Sequence, residues 1–263
     1  MTTTKATILE RARLGQRLDG LFLFDAHQHL GEWHQFHMPK CEAADVIAVM
    51  DRIGIAQAAT SGVPAAVGSD FRAGNDLVIA ATRAYPGRLH GYIVVNPNDP
   101  AGVAPEIERC AAEGLAAVKI HSYHGKPYDC AEYRPAYEIA NSRSWPVLAH
   151  TWAEELPAID RLAAEYPNIR WLLAHAAAAE PQKYYDLARR RDSIFLDTCN
   201  SACTWNAVES LVKETGPEKI LFGSDVSFLA ATQQIGRVLF ARISDRDKEL
   251  ILGLNARRFF RLD

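Results

Sequence analysis

The chain has 263 residues, 48% of them hydrophobic and 23% charged, with a formal net charge of −3 and a pI near 6.3. That is enough for one large α/β domain or two small ones, with ample core material, and the absence of a basic excess argues against nucleic acid as a partner. No apolar run reaches the ~18 residues that span a bilayer, so no membrane partner is expected.

Charged residues Lys5, Glu10, Arg11 and Arg13 interrupt the N-terminus, so no secretory leader is expected. Five cysteines without a CxxC pair make no disulfide framework. Reduced thiols and a cytoplasmic location are the expectation.

Residues 1–18 read as a lead-in, with a short amphipathic helix over 6–18. The apolar run Leu21-Phe22-Leu23-Phe24 then reads as a buried strand ending in Asp25-Ala26-His27-Gln28-His29. Side chains alternate along a strand, so His27 and His29 share a face. Two imidazoles about 7 Å apart along a strand can converge on one ion, and zinc suits imidazole. The alternative is two ordinary strand-end histidines. Gly31 opens a loop, 32–40, that carries Trp33, His34, Phe36 and His37.

Helical spacing follows at 42–53, and a second strand at 55–63. The loop 64–74 carries Asp70 and Arg72; the next helix, 75–85, is stopped by Pro86-Gly87. A third strand at 89–95, a helix at 101–113 and a fourth strand at 115–121 come next, then a loop with Tyr123, His124, Lys126 and Tyr128. A helix at 131–143 leads to strand five, 146–150, and a helix at 153–166 to strand six, 169–175. Strand seven, 194–198, lies between helices at 181–191 and 205–215; strand eight, 220–222, ends in Gly223-Ser224-Asp225. Helices at 231–241 and 245–259 close the chain.

Eight short apolar strands alternating with helices predict a parallel sheet buried on both faces. Eight such units in this length match a closed (β/α)₈ barrel in a single domain over 1–263, with an open doubly wound sheet as the runner-up. Strand ends carry the polar residues: His27 and His29, Lys119 and His121, His150, His175, and Asp225. In a barrel these ends share one mouth, where active sites of the architecture sit. Each residue alone has an ordinary explanation. A strand-end His is often merely hydrogen-bonded, Lys119 can be a buried stem with its ammonium paired, and Asp225 can be a helix N-cap. Coincidence at so many strand ends is the poorer account.

These pieces, with Val118-Lys119-Ile120-His121, Pro146-Val147-Leu148-Ala149-His150-Thr151, Leu173-Ala174-His175, Phe222-Gly223-Ser224-Asp225 and Gly253-Leu254-Asn255-Ala256-Arg257-Arg258-Phe259-Phe260, occur in order over residues 25 to 260. Together they resemble the metal-dependent amidohydrolase superfamily, most closely the amidohydrolase-related branch that includes aminocarboxymuconate-semialdehyde decarboxylase. The resemblance implies that His27, His29, His150 and Asp225 are ligands of one divalent metal, zinc first, with manganese, iron or cobalt as alternatives. It implies that His175 activates water or holds substrate. A glycine often follows this histidine in the branch; here Ala176 to Ala179 stand instead. In some binuclear members a strand-four lysine is carbamylated and bridges two metals, but His121 beside Lys119 and the branch as a whole favour one.

A metal-bound water of lowered pKa, with Asp225 as base, leads to hydrolysis of a small carboxylic, amide, ester or lactone substrate. The same site suits nonoxidative decarboxylation of an aromatic or muconate-like acid, the alternative. A barrel that only binds is the third reading, disfavoured by the complete ligand set. Trp33, Phe36, Tyr123, Tyr128, Trp152, Trp205 and Phe228 fall on mouth loops, where they would suit a planar small molecule or pack the rim. Arg72 is a candidate anchor for a substrate carboxylate, or a partner of Asp70 or Asp76. Lys119 and His121 are candidates for further metal or substrate contacts. Cys199 and Cys203 are read as packing residues rather than a thiolate pair. A homodimer is kept open.

Overall fold

The computed structural model describes residues 6–176, 178–202 and 204–262. Its strands are β1 (Phe24–Leu30), β2 (Gln57–Gly62), β3 (in two pieces, Leu89–Gly91 and Ile93–Val94), β4 (Val118–Ile120), β5 (Pro146–Ala149), β6 (Arg170–Leu173), β7 (Ile194–Asp197) and β8 (Ile220–Leu221). Every pairing is parallel and joins sequence neighbours. Tyr92 divides β3 between its neighbours: the Tyr92 amide donates to Thr60 O at 2.9 Å, and the Ile93 amide to Ala117 O at 2.8 Å.

The ring closes where residues 222–226 continue β8 beside β1. The Ala26 amide donates to Phe222 O and the Asp225 amide to His27 O, both at 2.8 Å, and Gln28 bridges Val226 in parallel. The fold is therefore the (β/α)₈ barrel, and the open sheet is excluded.

Phe24, Ala59, Tyr92, Leu148, Leu172 and Leu221, from different strands, fill the barrel interior as one cluster with Phe259. The Tyr92 hydroxyl crosses to donate to Ala26 O at 2.8 Å. A larger apolar cluster joins the outer strand faces to the helices. The base is plugged by the last helix, Asn255–Phe260, whose Phe260 ring lies 5.0 Å from that of Phe24.

Three helices differ from expectation for local reasons. The first spans only Ile8–Arg13, because Gly15 takes a left-handed φ of 62° just beyond it. The third expected helix begins early, at Phe71, because the Asp70 carboxylate accepts from the Ala73 amide at 2.9 Å and caps it. Arg72 thus sits on a helix, not in a loop. The closing helix passes through a π-turn at Leu250–Leu254. There Gly253 approaches β1's entry so closely that a Cβ would lie 2.0 Å from Phe22 O. Among the described residues no helix is long and apolar enough to cross a membrane.

Candidate metal centre and active site

The centre begins with an irregularity in β1. Its register against β2 shifts between Asp25 and Gln28, a bulge that re-aims side chains. Asp25 is tied into the wall. Its Oδ1 accepts from the Ser224 amide at 2.9 Å and the His27 amide at 3.2 Å, and its Oδ2 from Gln28 Nε2 at 2.7 Å. Burial pushes its pKa up to about 6.

His27 and His29 turn inward, their Nε2 atoms 3.2 Å apart. Asp225 Oδ1 lies 3.1 Å from His29 Nε2 and 3.7 Å from His27 Nε2. Each imidazole is held from behind: His27 Nδ1 by Asp197 Oδ2 at 2.7 Å, and His29 Nδ1 by the Ser61 hydroxyl at 3.0 Å. Such outer partners fix ring orientation and leave the Nε2 lone pairs for the centre. Asp197 was missed in the sequence, although it ends β7 as the other site residues end their strands. Its Oδ1 also accepts from the Cys199 amide at 2.9 Å and the His175 amide at 3.2 Å. Gly223 makes room for this pair: a Cβ there would lie 2.9 Å from His27 Cβ and 3.0 Å from Asp197 Oδ2.

Around this core stand the other strand-end residues. Lys119 is fully buried with Nζ 2.8 Å from His27 Nε2, and burial lowers its pKa to about 8. The rings of His121 and His150 stack at 3.9 Å, and His150 Nδ1 lies 3.2 Å from His175 Nε2. Burial also lowers the pKa of His121, His150 and His175, and that of His29 to about 3. These rings stand neutral, with lone pairs to offer. Burial works to raise the pKa of Asp225. The hydrogen bond with His29 leads the opposing effects, which outweigh it and hold the carboxyl far below the usual range.

His27, His29 and Asp225 place ligand atoms within 4.8 Å of one another. The measured separations match the edges of a coordination shell with bonds of about 2.0–2.2 Å, so the donor set fits a divalent ion. Among the described residues no such group includes His150, which faces His175 instead. Asp225 caps no helix, since the next begins at Ala231 behind an Ala230 cap. Both His175 and Asp225 hold left-handed backbone, at φ 61° and 58°. The Ala178 amide closes a turn onto His175 O at 2.9 Å, and Ala177 lies outside the described residues.

A cavity of about 290 Å³ opens above this floor, lined by Trp33, Phe36, Tyr123, Trp152 and Phe228 together with His29, His121, His150, His175 and Asp225. Trp33 stacks on Phe36 at 5.4 Å, and Trp152 on His175 at 5.0 Å and 13°. The Tyr123 hydroxyl donates to Gln35 Oε1 at 3.2 Å, joining two mouth loops.

Other expected residues lie elsewhere. Arg72 faces Asp76 at 3.6 Å and Glu106 at 3.9 Å on the outer helix layer, so the structure does not bring it to the cavity. Tyr128 is buried behind the wall, its hydroxyl on His150 O at 2.6 Å. Trp205 is 84% exposed and away from the cavity, and His34 and His37 are exposed and outside its lining. Cys203 lies outside the described residues. Cys199 does more than pack: its Sγ lies 3.2 Å from His27 Nδ1 and 3.4 Å from His175 Nδ1. Burial pushes its thiol pKa up, and Asp197 adds to the effect.

A family model described as Amidohydrolase matches residues 24–262. The chain belongs to the amidohydrolase family. The gamma-resorcylate decarboxylase of Polaromonas sp. (strain JS666) is 21% identical, over 73% of this chain and 76% of its own. The structure of 2,6-dihydroxybenzoate decarboxylase from Rhizobium superposes with a TM-score of 0.75 at 18% identity, covering 94% of this chain and 100% of that one. The 5-carboxyvanillate decarboxylase from Novosphingobium aromaticivorans, complexed with manganese and 4-hydroxy-3-methoxy-5-nitrobenzoic acid, gives 0.73 at 18% identity, covering 92% and 97%. The hydrolase expectation is corrected by these similarities: the relatives are decarboxylases, which supports the alternative reading.

Proposed function

We propose that this barrel is a metal-dependent, nonoxidative decarboxylase of a small hydroxylated aromatic acid. The observation that carries the reading is the pairing of an aromatic-walled cavity with a floor of two imidazoles and a carboxylate, in a chain similar to decarboxylases. His27 Nε2, His29 Nε2 and Asp225 Oδ1 would hold the ion, with His150 as the further candidate. Manganese is the ion to supply first, given the relative that binds it. When bound, a divalent ion supplies Lewis acidity and fixes the orientation of an anionic substrate.

The residues of the chain do the rest. Trp33, Phe36 and Phe228 hold the ring and keep bulk water from it, and His175 and His150 present neutral imidazoles to the substrate carboxylate. Asp225 is anionic at rest, so the proton it carries must come with the substrate. A hydroxyl ortho to the carboxylate is the donor at hand. Asp225 takes the phenol proton and returns it to the carboxylated ring carbon. The C–C bond then breaks, its electron pair restores the aromatic ring, and CO₂ leaves beside a phenolate. Atoms and charge balance without an oxidant.

The test is to supply manganese-loaded protein with 2,6-dihydroxybenzoate and other ortho-hydroxybenzoates in D₂O. The expected result is CO₂ release with deuterium on the former carboxylated carbon. Asp225→Asn should lower kcat by about 10²–10⁴, the usual worth of a positioned acid–base group, while the protein keeps its metal. No CO₂ from any of these acids would overturn the reading.

A further inference from the structure

The floor contains a second set of ligand atoms that this reading does not use. The Cys199 sulfur, a nitrogen of His175 and a carboxylate oxygen of Asp225 all lie within 4.8 Å of one another. Cys199 follows β7 and is fully buried, but His175 and Asp225 line the cavity, so the set is reached from the mouth. The 3.4 Å between Cys199 Sγ and His175 Nδ1 suits the edge of a tetrahedral site with bonds of about 2.3 Å to sulfur and 2.0–2.1 Å to nitrogen. A competing set, His27, Asp197 and Cys199, also lies within 4.8 Å. An ion there would break the 2.7 Å bond that orients His27, whereas one on His175, Cys199 and Asp225 displaces the longer contacts of His175 Nδ1 with Cys199 O at 3.3 Å and of the Cys199 thiol with Asp197 Oδ2 at 3.2 Å.

We propose that His175, Cys199 and Asp225 form a second metal site, selective for thiophilic ions such as zinc and cadmium over manganese and magnesium. Selectivity follows from the sulfur. Thiolate is a soft ligand that zinc and cadmium accept, whereas manganese and magnesium prefer oxygen. Binding forms a metal–sulfur bond and releases the thiol proton to solvent; nothing is oxidised. The site shares Asp225 with the ion at His27 and His29 and removes His175 from the cavity, so its occupation inhibits turnover. The binding rests on this geometry alone, while the inhibition rests on the decarboxylase reading.

The experiment titrates the full chain, preloaded with manganese, with cadmium. It follows the thiolate-to-metal charge-transfer absorption in the ultraviolet together with proton release. Wild type should develop the band with one thiol proton released per chain. Cys199→Ser should lose both and still hold one ion. Any background from Cys41, Cys110, Cys130 and Cys203 is common to both proteins and cancels in their difference. A band as strong in Cys199→Ser as in wild type, or no band in wild type, overturns the site. Should Cys199→Ser fail to fold, His175→Asn serves instead, because it keeps the sulfur and removes its partner; an undiminished band there is equally fatal. In turnover, zinc beyond one equivalent should inhibit wild type at least ten-fold more than Cys199→Ser. Equal inhibition of the two overturns the regulatory part. An absence of any decarboxylation counts against the proposed function and leaves the spectroscopic result standing on its own.

Discussion

At the base of the barrel Phe24, Tyr92, Phe259 and Phe260 pack ring to ring, with the Phe24 and Phe260 centroids 5.0 Å apart. At the mouth the same ring of strands holds five imidazoles, the carboxylates of Asp197 and Asp225 and the ammonium of Lys119, almost all buried. Burial at the base removes apolar area from water and stabilises the fold. Burial at the mouth costs free energy for every polar group, and each is tolerated because a neighbour satisfies it. The barrel thus keeps its stability at one end and its chemistry at the other, and each end should be breakable without the other.

The largest effect is expected at the base. Phe259 is fully buried between the barrel interior and the closing helix. Phe259→Ala should lower the unfolding free energy by about 3–5 kcal/mol, the cost of truncating a core aromatic. The kcat of the folded fraction should stay within about two-fold, because Phe259 does not line the cavity. Urea unfolding and active-site titration on one preparation check both. A collapse of kcat in protein that remains folded would join the two ends and end the comparison.

The same division explains what could be read in advance. The eight strands were legible because parallel strands buried on both faces are short apolar runs. His27, His29, Lys119, His121, His150, His175 and Asp225 stood out because each interrupts or ends such a run. Asp197, Ser61 and Cys199 were not legible as site residues, since they act through other side chains and nothing in their spacing announces a partner. Arg72 was misplaced for a local reason: capping by Asp70 starts the helix early and turns the guanidinium toward Asp76 and Glu106. Loop aromatics lack periodicity, so the cavity wall of Trp33 and Trp152 could not be told from buried Tyr128 or exposed Trp205.

A second, smaller effect lies between the two ends. Asp25 ties β1 to the end of β8, and burial raises its pKa from 3.8 to about 6. Between about pH 4 and pH 6 the unfolded chain has lost this proton and the folded chain keeps it. Stability contributed by this group is therefore greatest at the acid end and falls as pH rises through the window. The total is about 3 kcal/mol for a shift of that size, at 1.36 kcal/mol per unit, and the curve is flat above pH 6. Asp197 and Asp225, whose pKa values are lowered, act with the opposite sign, below this window. Asp25→Asn cannot ionise, and Gln28 Oε1, buried without a partner, can accept from the new amide. Denaturation at a series of pH values should show the wild-type slope vanish in the variant. A difference between the two that is constant across pH would mean that Asp25 is ionised throughout.

The smallest effect tests the mouth alone, by separating its wall from its floor. Trp33 contacts Phe36, Tyr123 and Phe228 at ring separations of 5.3–5.6 Å, all of them wall residues rather than candidate ligands. It should grip the ring of the substrate equally in the ground and transition states. Loss of such uniform binding raises KM and leaves kcat alone. Trp33→Leu should therefore raise KM by about two- to ten-fold, the size of one aromatic contact of about 0.5–1.5 kcal/mol, with kcat changed less than about three-fold. Trp152 is the contrast, because its ring lies flat on His175. Trp152→Leu frees that imidazole to turn and should lower kcat as well as raise KM. Both variants keep the base untouched, so their unfolding curves should match wild type within about 1 kcal/mol, as expected for part-exposed sites. Steady-state kinetics on the two proteins decide it. If Trp33→Leu lost kcat as Trp152→Leu does, the wall would be shaping the reacting geometry itself. The division would then lie between base and mouth only, with no further one inside the mouth.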